Sequence, residues 1–287
     1  MNYVLYHKNC TDGAGAAMAA HLKFGDNAKY IPVQYGEPVP EIESGSDVFV
    51  LDFSYKRDVL LDLKSRMGKL VVLDHHKTAM EDLIGLDFAK FDMKKSGAGL
   101  AWEYFHPDTD RPTLINLIED QDLWLFTDER TKPAGAALRL LDGFKDYAQY
   151  LHDVSPLMEK GKAVLELDAL KIKSSNDKAT ACLYWHRSNP ESAYTCALIN
   201  TGDLISAIGE NFYLNYEVDF ALMYFVTADA KVVFSFRSNK IDVSRLAKGL
   251  GGGGHPKAAA ASVSIDVGLK LLSEMYANVV DLKALKK

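Results

Sequence analysis

The segment Lys69–His76, KLVVLDHH, couples a short apolar run to a carboxylate and two imidazoles, Asp74, His75 and His76. Isolated buried charge is costly unless it is paired or bound to an ion, so this triplet points to a metal centre or a tightly paired site. Two other segments end the same way. NYVLY (Asn2–Tyr6) runs into His7, Cys10 and Asp12, and DVFVL (Asp47–Leu51) runs into Asp52. A fourth acidic pair, Asp120 and Asp122, follows an apolar helical pattern. Each of these has an ordinary reading. Asp52 suits an Asx-turn and Asp12 before Gly13 suits a turn, while Asp120 and Asp122 suit a solvated helix end. Their coincidence favours one site of mixed imidazole and carboxylate donors, a set that fits Mn²⁺ better than the all-oxygen sites of Mg²⁺ or Ca²⁺.

The elements that must carry these residues follow from periodicity. Leu70, Val71, Val72 and Leu73 are consecutive, apolar and partly β-branched, which predicts a strand buried on both faces. Helical patterns lie between and after the strands: Gly13–Leu22 is Ala-rich, Arg57–Met67 is amphipathic, Ser96 can N-cap Gly97–Tyr104, and Pro112 opens a helix to Asp120. Alternating strands and helices predict an α/β fold with a mostly parallel sheet and helices on both faces. Ligands of such sheets bind beyond the carboxyl ends of the strands, where these residues fall.

A long charged amphipathic helix over Ser155–Asn176 reads as a connector. Beyond it, Ser192–Asn200, Phe220–Val226 and Lys231–Arg237 read as strands and Val243–Leu250 as a short helix. The expected organisation is a domain over 1–154, a helical linker over 155–189 and a smaller α/β domain over 190–287. The run Gly251–Gly254 before His255 can bring backbone amides close to an anion, with PKAAAAS after it as a helix start or a tightly packed segment.

Composition narrows the function. A chain of 287 residues with 48% hydrophobic and 25% charged residues is ordinary for a globular protein. No apolar run nears the roughly 20 residues that span a bilayer, and three irregularly spaced cysteines imply no disulfide framework. A cytoplasmic location without membrane association is therefore expected. Net charge of −6 argues against a partner such as long nucleic acid. It leaves room for short anions, because bound cations invert the local sign. Cys182 and Cys196 read as small buried residues. His21, His106, His152 and His186 show no partner pattern, and Trp102 and Trp124 read as core.

The motifs together resemble a known family. KLVVLDHH resembles the signature of the DHH phosphoesterases, and GGGGHPKAA resembles the glycine-rich motif of the DHH-associated C-terminal domain found in RecJ-like nucleases and nano-RNases. HKNCTDG, VFVLDFS and LIEDQDLW resemble the family's first, second and fourth motifs, in order. The resemblance implies an active-site cleft between two domains and a divalent-metal-dependent hydrolase. It implies one or two ions, usually Mn²⁺, with Mg²⁺ or another divalent ion as alternatives. Carried over by position, Asp12, Asp52, His75 and Asp120 are the expected ion ligands, with His7, one position late, as a further one, and Asp74, His75 and His76 the catalytic triplet. Arg237, Ser238, Gly252, Gly253 and His255 are the expected substrate contacts.

Three departures from the family pattern stand out. Cys10 occupies the place of an Asp in the first motif and Tyr6 that of its His, so Cys10 is either a thiolate ligand or the mark of a weakened ion site, the latter being the expectation. Asp122 competes with Asp120 as the fourth-motif ligand. Ala260 stands where the family has Gly. The expected activity is hydrolysis of phosphodiester or phosphomonoester bonds in short nucleotides: linear dinucleotides, very short RNA or 3′-phosphoadenosine phosphate. The alternatives are a polyphosphate or pyrophosphate hydrolase and a catalytically weakened nucleotide-binding protein; a homodimer is compatible with any of them.

Overall fold

The computed structural model describes residues 1–185 and 193–287. His186, the first residue of the expected Ser192–Asn200 strand and the expected boundary at 189/190 lie outside the described residues. The chain divides into two compact units, Met1–Glu166 and Leu167–Lys287.

The first unit runs β1 (Asn2–His7), α1 (Thr11–Phe24), β2 (Ala28–Val33), β3 (Asp47–Leu51), α2 (Arg57–Arg66), β4 (Lys69–Asp74), α3 (Lys77–Asp82), β5 (Ala89–Phe91), α4 (Gly97–Phe105), α5 (Thr113–Asp122) and α6 (Thr131–Leu138). Its five strands form one parallel sheet in the order β2-β1-β3-β4-β5. Alternation along β4 accounts for its apolar run: Val71 and Leu73 enter the core on one face, with α1, α4 and α5, while Leu70 and Val72 enter the core of the other, with α2. Fully burying each such side chain contributes about 1.5–3 kcal/mol. β2 and β5 have weaker patterns because they edge the sheet; both extend the predicted α/β arrangement.

In this order β1 and β3 are neighbours although β2 lies between them in sequence, which makes their carboxyl ends the topological switch point of the sheet. The register does the rest. Tyr6 pairs with Leu51 and Leu51 with Leu73, so the next residue of each strand, His7, Asp52 and Asp74, falls in one row across β1, β3 and β4.

The sequence division between the units falls within the helix α7 (Ser155–Ser175). The second unit continues with β6 (Thr180–Trp185), β7 (Ala193–Asn200), α8 (Ile205–Asn215), β8 (Phe220–Val226), β9 (Lys231–Arg237), α9 (Val243–Gly249), β10 (Gly253–Gly254), β11 (Ala258–Ser264), α10 (Ile265–Tyr276) and β12 (Val279–Val280). Its seven strands lie in the order β10-β11-β9-β8-β7-β6-β12, antiparallel except for β7 with β8. One face packs Phe234 and Phe236 with Leu246, Leu272 and Met275; the other packs Ala221 and Met223 with Ile208 and Phe212.

Two features of this unit differ from the sequence reading. The connector is helical only to Ser175, and Thr180–Trp185 is a strand, as its β-branched and aromatic alternation permits. PKAAAAS leads into the strand β11 and not a helix, because Ala258–Ser264 pairs along its whole length with β9. Helix propensity of alanine is overridden by the sheet. No described helix is long and apolar enough to cross a membrane.

Candidate metal centre

Glycines bring the elements of the site together. A Cβ on Gly13 would lie 2.3 Å from the His7 carbonyl oxygen, so only glycine lets α1 start this close to the end of β1. A Cβ on Gly97 would lie 2.4 Å from Asp52 Cβ, which is how α4 begins against the end of β3. Small residues also allow α1 and α4 to pack closely, with Gly15 beside Ala98. Asp52 itself has a left-handed backbone (φ +60°), uncommon for a residue other than glycine and a recurrent mark of functional sites.

The side chains converge on His75. Its Nε2 lies 3.2 Å from Asp52 Oδ1, 3.4 Å from Asp122 Oδ2 and 3.6 Å from Asp12 Oδ2. Asp12, Asp52, Asp74 and His75 are buried. On the other side of Asp52, Oδ2 faces His7 Nδ1 at 3.4 Å. Asp74 is fully engaged by the protein. Its Oδ1 accepts from the His76 ring Nδ1–H at 2.7 Å and from the His75 and His76 backbone N–H groups, and its Oδ2 accepts from Ser54 Oγ at 2.6 Å. Asp74 therefore orients the histidine pair and fixes the His76 tautomer, as carboxylates behind ligating histidines do.

Crowded like charges and burial set the protonation. Burial, then the charges of Asp52 and Asp122, raise the Asp12 carboxyl well above the usual range against the pull of His75. Burial also raises Asp122, again opposed by His75. Burial works against charge on Asp52 as well, but the facing His7 and the hydrogen-bonded His75 outweigh that and hold the carboxyl well below the usual range. His75, which burial alone would lower, is pushed up to about 10 by Asp52, Asp122 and Asp12. Burial followed by the same aspartates raises the Cys10 thiol well above its usual value.

These residues fit a divalent ion. His7 Nδ1 and Asp52 Oδ2 are buried and hydrogen-bonded to nothing among the described residues. Donor atoms within 4.8 Å of one another occur in the groups His7–Cys10–Asp52, Asp12–His75–Asp122 and Asp52–Asp74–His76. Imidazole and carboxylate donors at this spacing can hold a cation among them.

The expected ligand Asp120 requires correction. Its carboxylate accepts from Thr127 N and Oγ1, Asp128 N and Thr131 Oγ1, and its carbonyl from Leu125 N. It ties down the turn after α5, in which Trp124 and Phe126 are left-handed (φ +57° and +51°). Asp122, at the last residue of that helix, stands beside His75 in its place. The physical signal available from sequence was the run of hydroxyls, Thr127 and Thr131, that satisfies Asp120.

In the second unit, Ser238 also differs from expectation. It is buried, donates to the Asp219 carbonyl and accepts from Lys240 N and Ile241 N, which makes it a turn residue. The Gly252 amide donates to the Ala247 carbonyl, and a Cβ there would lie 2.0 Å from the Ala260 oxygen, so close packing on β11 explains this glycine. Gly253 pairs with Ala260, whose side chain is exposed. His255 donates its backbone N–H to Ala258. Arg237 bonds to Ser206 Oγ and the Phe236 carbonyl and makes no ion pair among the described residues.

The fold and this cluster define a two-unit α/β protein with a carboxylate–imidazole centre at the switch point of a parallel sheet. Residues 193–280 match the DHHA1 domain. An uncharacterized protein of Acanthamoeba polyphaga mimivirus is 28% identical over 288 residues, covering 92% of this chain and 68% of that one. Among solved structures, RecJ from Thermus thermophilus in complex with Mn²⁺ aligns over 96% of this chain and 51% of its own, with a TM-score of 0.50 and 15% identity. A pGpG-specific phosphodiesterase from Vibrio cholerae aligns over 96% and 99%, with a TM-score of 0.46 and 13% identity. The family match thus covers the second unit, and the likeness to RecJ is one of fold.

Proposed function

We propose that the protein is a divalent-metal-dependent phosphoesterase acting on short nucleotides, with the ion held by His7, Asp12, Asp52, His75 and Asp122. The observation that carries this reading is the gathering of Asp12, Asp52 and Asp122 within 3.6 Å of His75 Nε2, beside the buried His7 Nδ1–Asp52 Oδ2 ion pair. A bound divalent ion supplies charge to a phosphoryl oxygen and acidifies water for in-line displacement. The chain's own groups do the positioning. Asp74 holds the His75 and His76 backbone and the His76 ring, and Ser54 holds Asp74. In the second unit Arg237, a cation without an ion-pair partner among the described residues, and His255 are the proposed contacts for substrate phosphate.

Phosphoesterase chemistry is supported by the DHHA1 match over residues 193–280 and by the donor set; short substrates are supported by the net charge of −6. We assign Mn²⁺ as the first ion to test, because the donors are mixed nitrogen and oxygen. The test is hydrolysis of a linear diribonucleotide, 3′-phosphoadenosine phosphate and polyphosphate by metal-stripped protein, with and without added Mn²⁺. Turnover of either nucleotide only with the ion supports the proposal. Cleavage of polyphosphate alone moves the substrate class, and ion-independent turnover overturns the metal role.

A further inference from the structure

Cys10 differs from the other cysteines of the chain. Cys182 and Cys196 are fully buried on paired strands in the apolar core of the second unit, Sγ to Sγ 3.7 Å. Cys10 is half-buried at the start of α1 among polar groups: donor atoms of Cys10, His7 and Asp52 lie within 4.8 Å of one another. Independently of the cysteine, the same corner holds a buried carboxylate oxygen, Asp52 Oδ2, and a buried ring nitrogen, His7 Nδ1, 3.4 Å apart with no hydrogen-bond partner among the described residues. They face each other as an ion pair, and each keeps a lone pair or ring nitrogen that a bound cation would engage.

We propose that Cys10 is a metal ligand, its thiolate completing with His7 and Asp52 a nitrogen, oxygen and sulfur donor set that shifts the site from Mn²⁺ towards a softer divalent ion, Zn²⁺ or Fe²⁺. The inference rests on the metal-centre reading above and specifies its ion. Sulfur donors favour soft and borderline ions, whereas carboxylate and carbonyl donors suit Mn²⁺ and Mg²⁺. Ligation breaks the S–H bond as the sulfur–metal bond forms and releases the proton to solvent, so no oxidant is involved. A site with the other residues but an aspartate at position 10 would be a harder one, and position 10 is thus the residue that sets which ion the protein selects.

The test is spectroscopic and separates the two readings. Metal-stripped full-length protein is titrated anaerobically with Co²⁺, whose visible d–d bands report binding and whose near-ultraviolet thiolate charge-transfer band reports sulfur ligation. Both bands are expected. Cys10→Ser should lose the charge-transfer band and keep the visible ones. Cys10→Asp should lower the preference for Zn²⁺ over Mn²⁺, measured by equilibrium dialysis, by tenfold or more. Visible bands without charge transfer in the parent protein overturn the thiolate and leave the metal centre standing, as does a charge-transfer band that survives Cys10→Ser. The absence of both bands overturns the metal centre and this proposal with it. If Cys10→Ser fails to fold by circular dichroism, Cys10→Ala and the parent spectrum carry the decision.

Discussion

Asp12 Oδ2 accepts a hydrogen bond from Gly97 N at 2.6 Å, across 85 residues of sequence, and Asp12 Oδ1 accepts from Ala98 N at 2.8 Å. One carboxylate thus faces His75 and also satisfies two amides at the start of α4, which have no partner within the helix. Asp12→Ala is expected to lower stability by about 1–3 kcal/mol even in chelator, and to weaken ion binding. Asp122→Ala should weaken ion binding with a smaller loss of stability, since its carboxylate faces His75 and caps no helix amide. Thermal melts in chelator, paired with Mn²⁺ titrations, check both; equal destabilisation by the two would remove the distinction.

Asp120 and Asp122 should separate in the opposite sense. Asp120→Ala strips the acceptors of Thr127, Asp128 and Thr131 and is expected to cost about 1–3 kcal/mol. At a temperature where that variant is folded, its ion affinity should stay close to that of the parent. Calorimetric titration decides the matter. A larger loss of affinity in Asp120→Ala than in Asp122→Ala would return Asp120 to the ligand set.

Orientation of the histidine pair depends on Asp74. Asp74→Asn should lower ion affinity or turnover by about 10–100-fold, the usual consequence of removing a group that orients a ligand. Ser54→Ala, which removes one of the four hydrogen bonds to that carboxylate, should cost less. Kinetics with a saturating ion would show the order reversed if Ser54 itself acted on substrate.

His75 gives the protein a pH signature. Its value in the fold, about 10, lies above the ordinary 6.5. Its contribution to stability is therefore complete below about pH 6.5 and is lost as pH rises through about 10. Melting temperature in chelator should fall over this interval, and His75→Asn should flatten the slope. Ion binding has the opposite trend, because the ion displaces the proton: affinity should rise by up to about tenfold per pH unit for each proton released. Calorimetry in buffers of different ionisation enthalpy counts those protons, and zero release near pH 7 would contradict the assignment.

The strands that carry the centre were legible because each apolar run ends abruptly in a polar residue; their register was not, and pairing places His7, Asp52 and Asp74 in one row. Motif order supplied His7, Asp12, Asp52 and His75, and the structure brings all four together. Asp120 could not be told from Asp122 by type or spacing, since the choice depends on which carboxylate the Thr127 and Thr131 hydroxyls reach. Ser238 and Gly252 have structural roles that their types do not distinguish from anion contacts. Turn formation and strand packing want the same small and polar residues that anion binding wants. Ala258–Ser264 followed its pairing with β9 against its own helix propensity.

The double duty of Asp12 changes how relatives of this chain should be read. A lineage that abandoned the ion would still keep an aspartate at this position, because α4 needs its amides satisfied whether or not chemistry takes place. Persistence of Asp12 is then no sign of activity. Asp122, which faces only the imidazole of the centre, has less to hold it once catalysis is lost, so its presence or absence in a homologous sequence is the better marker separating working enzymes from silent descendants.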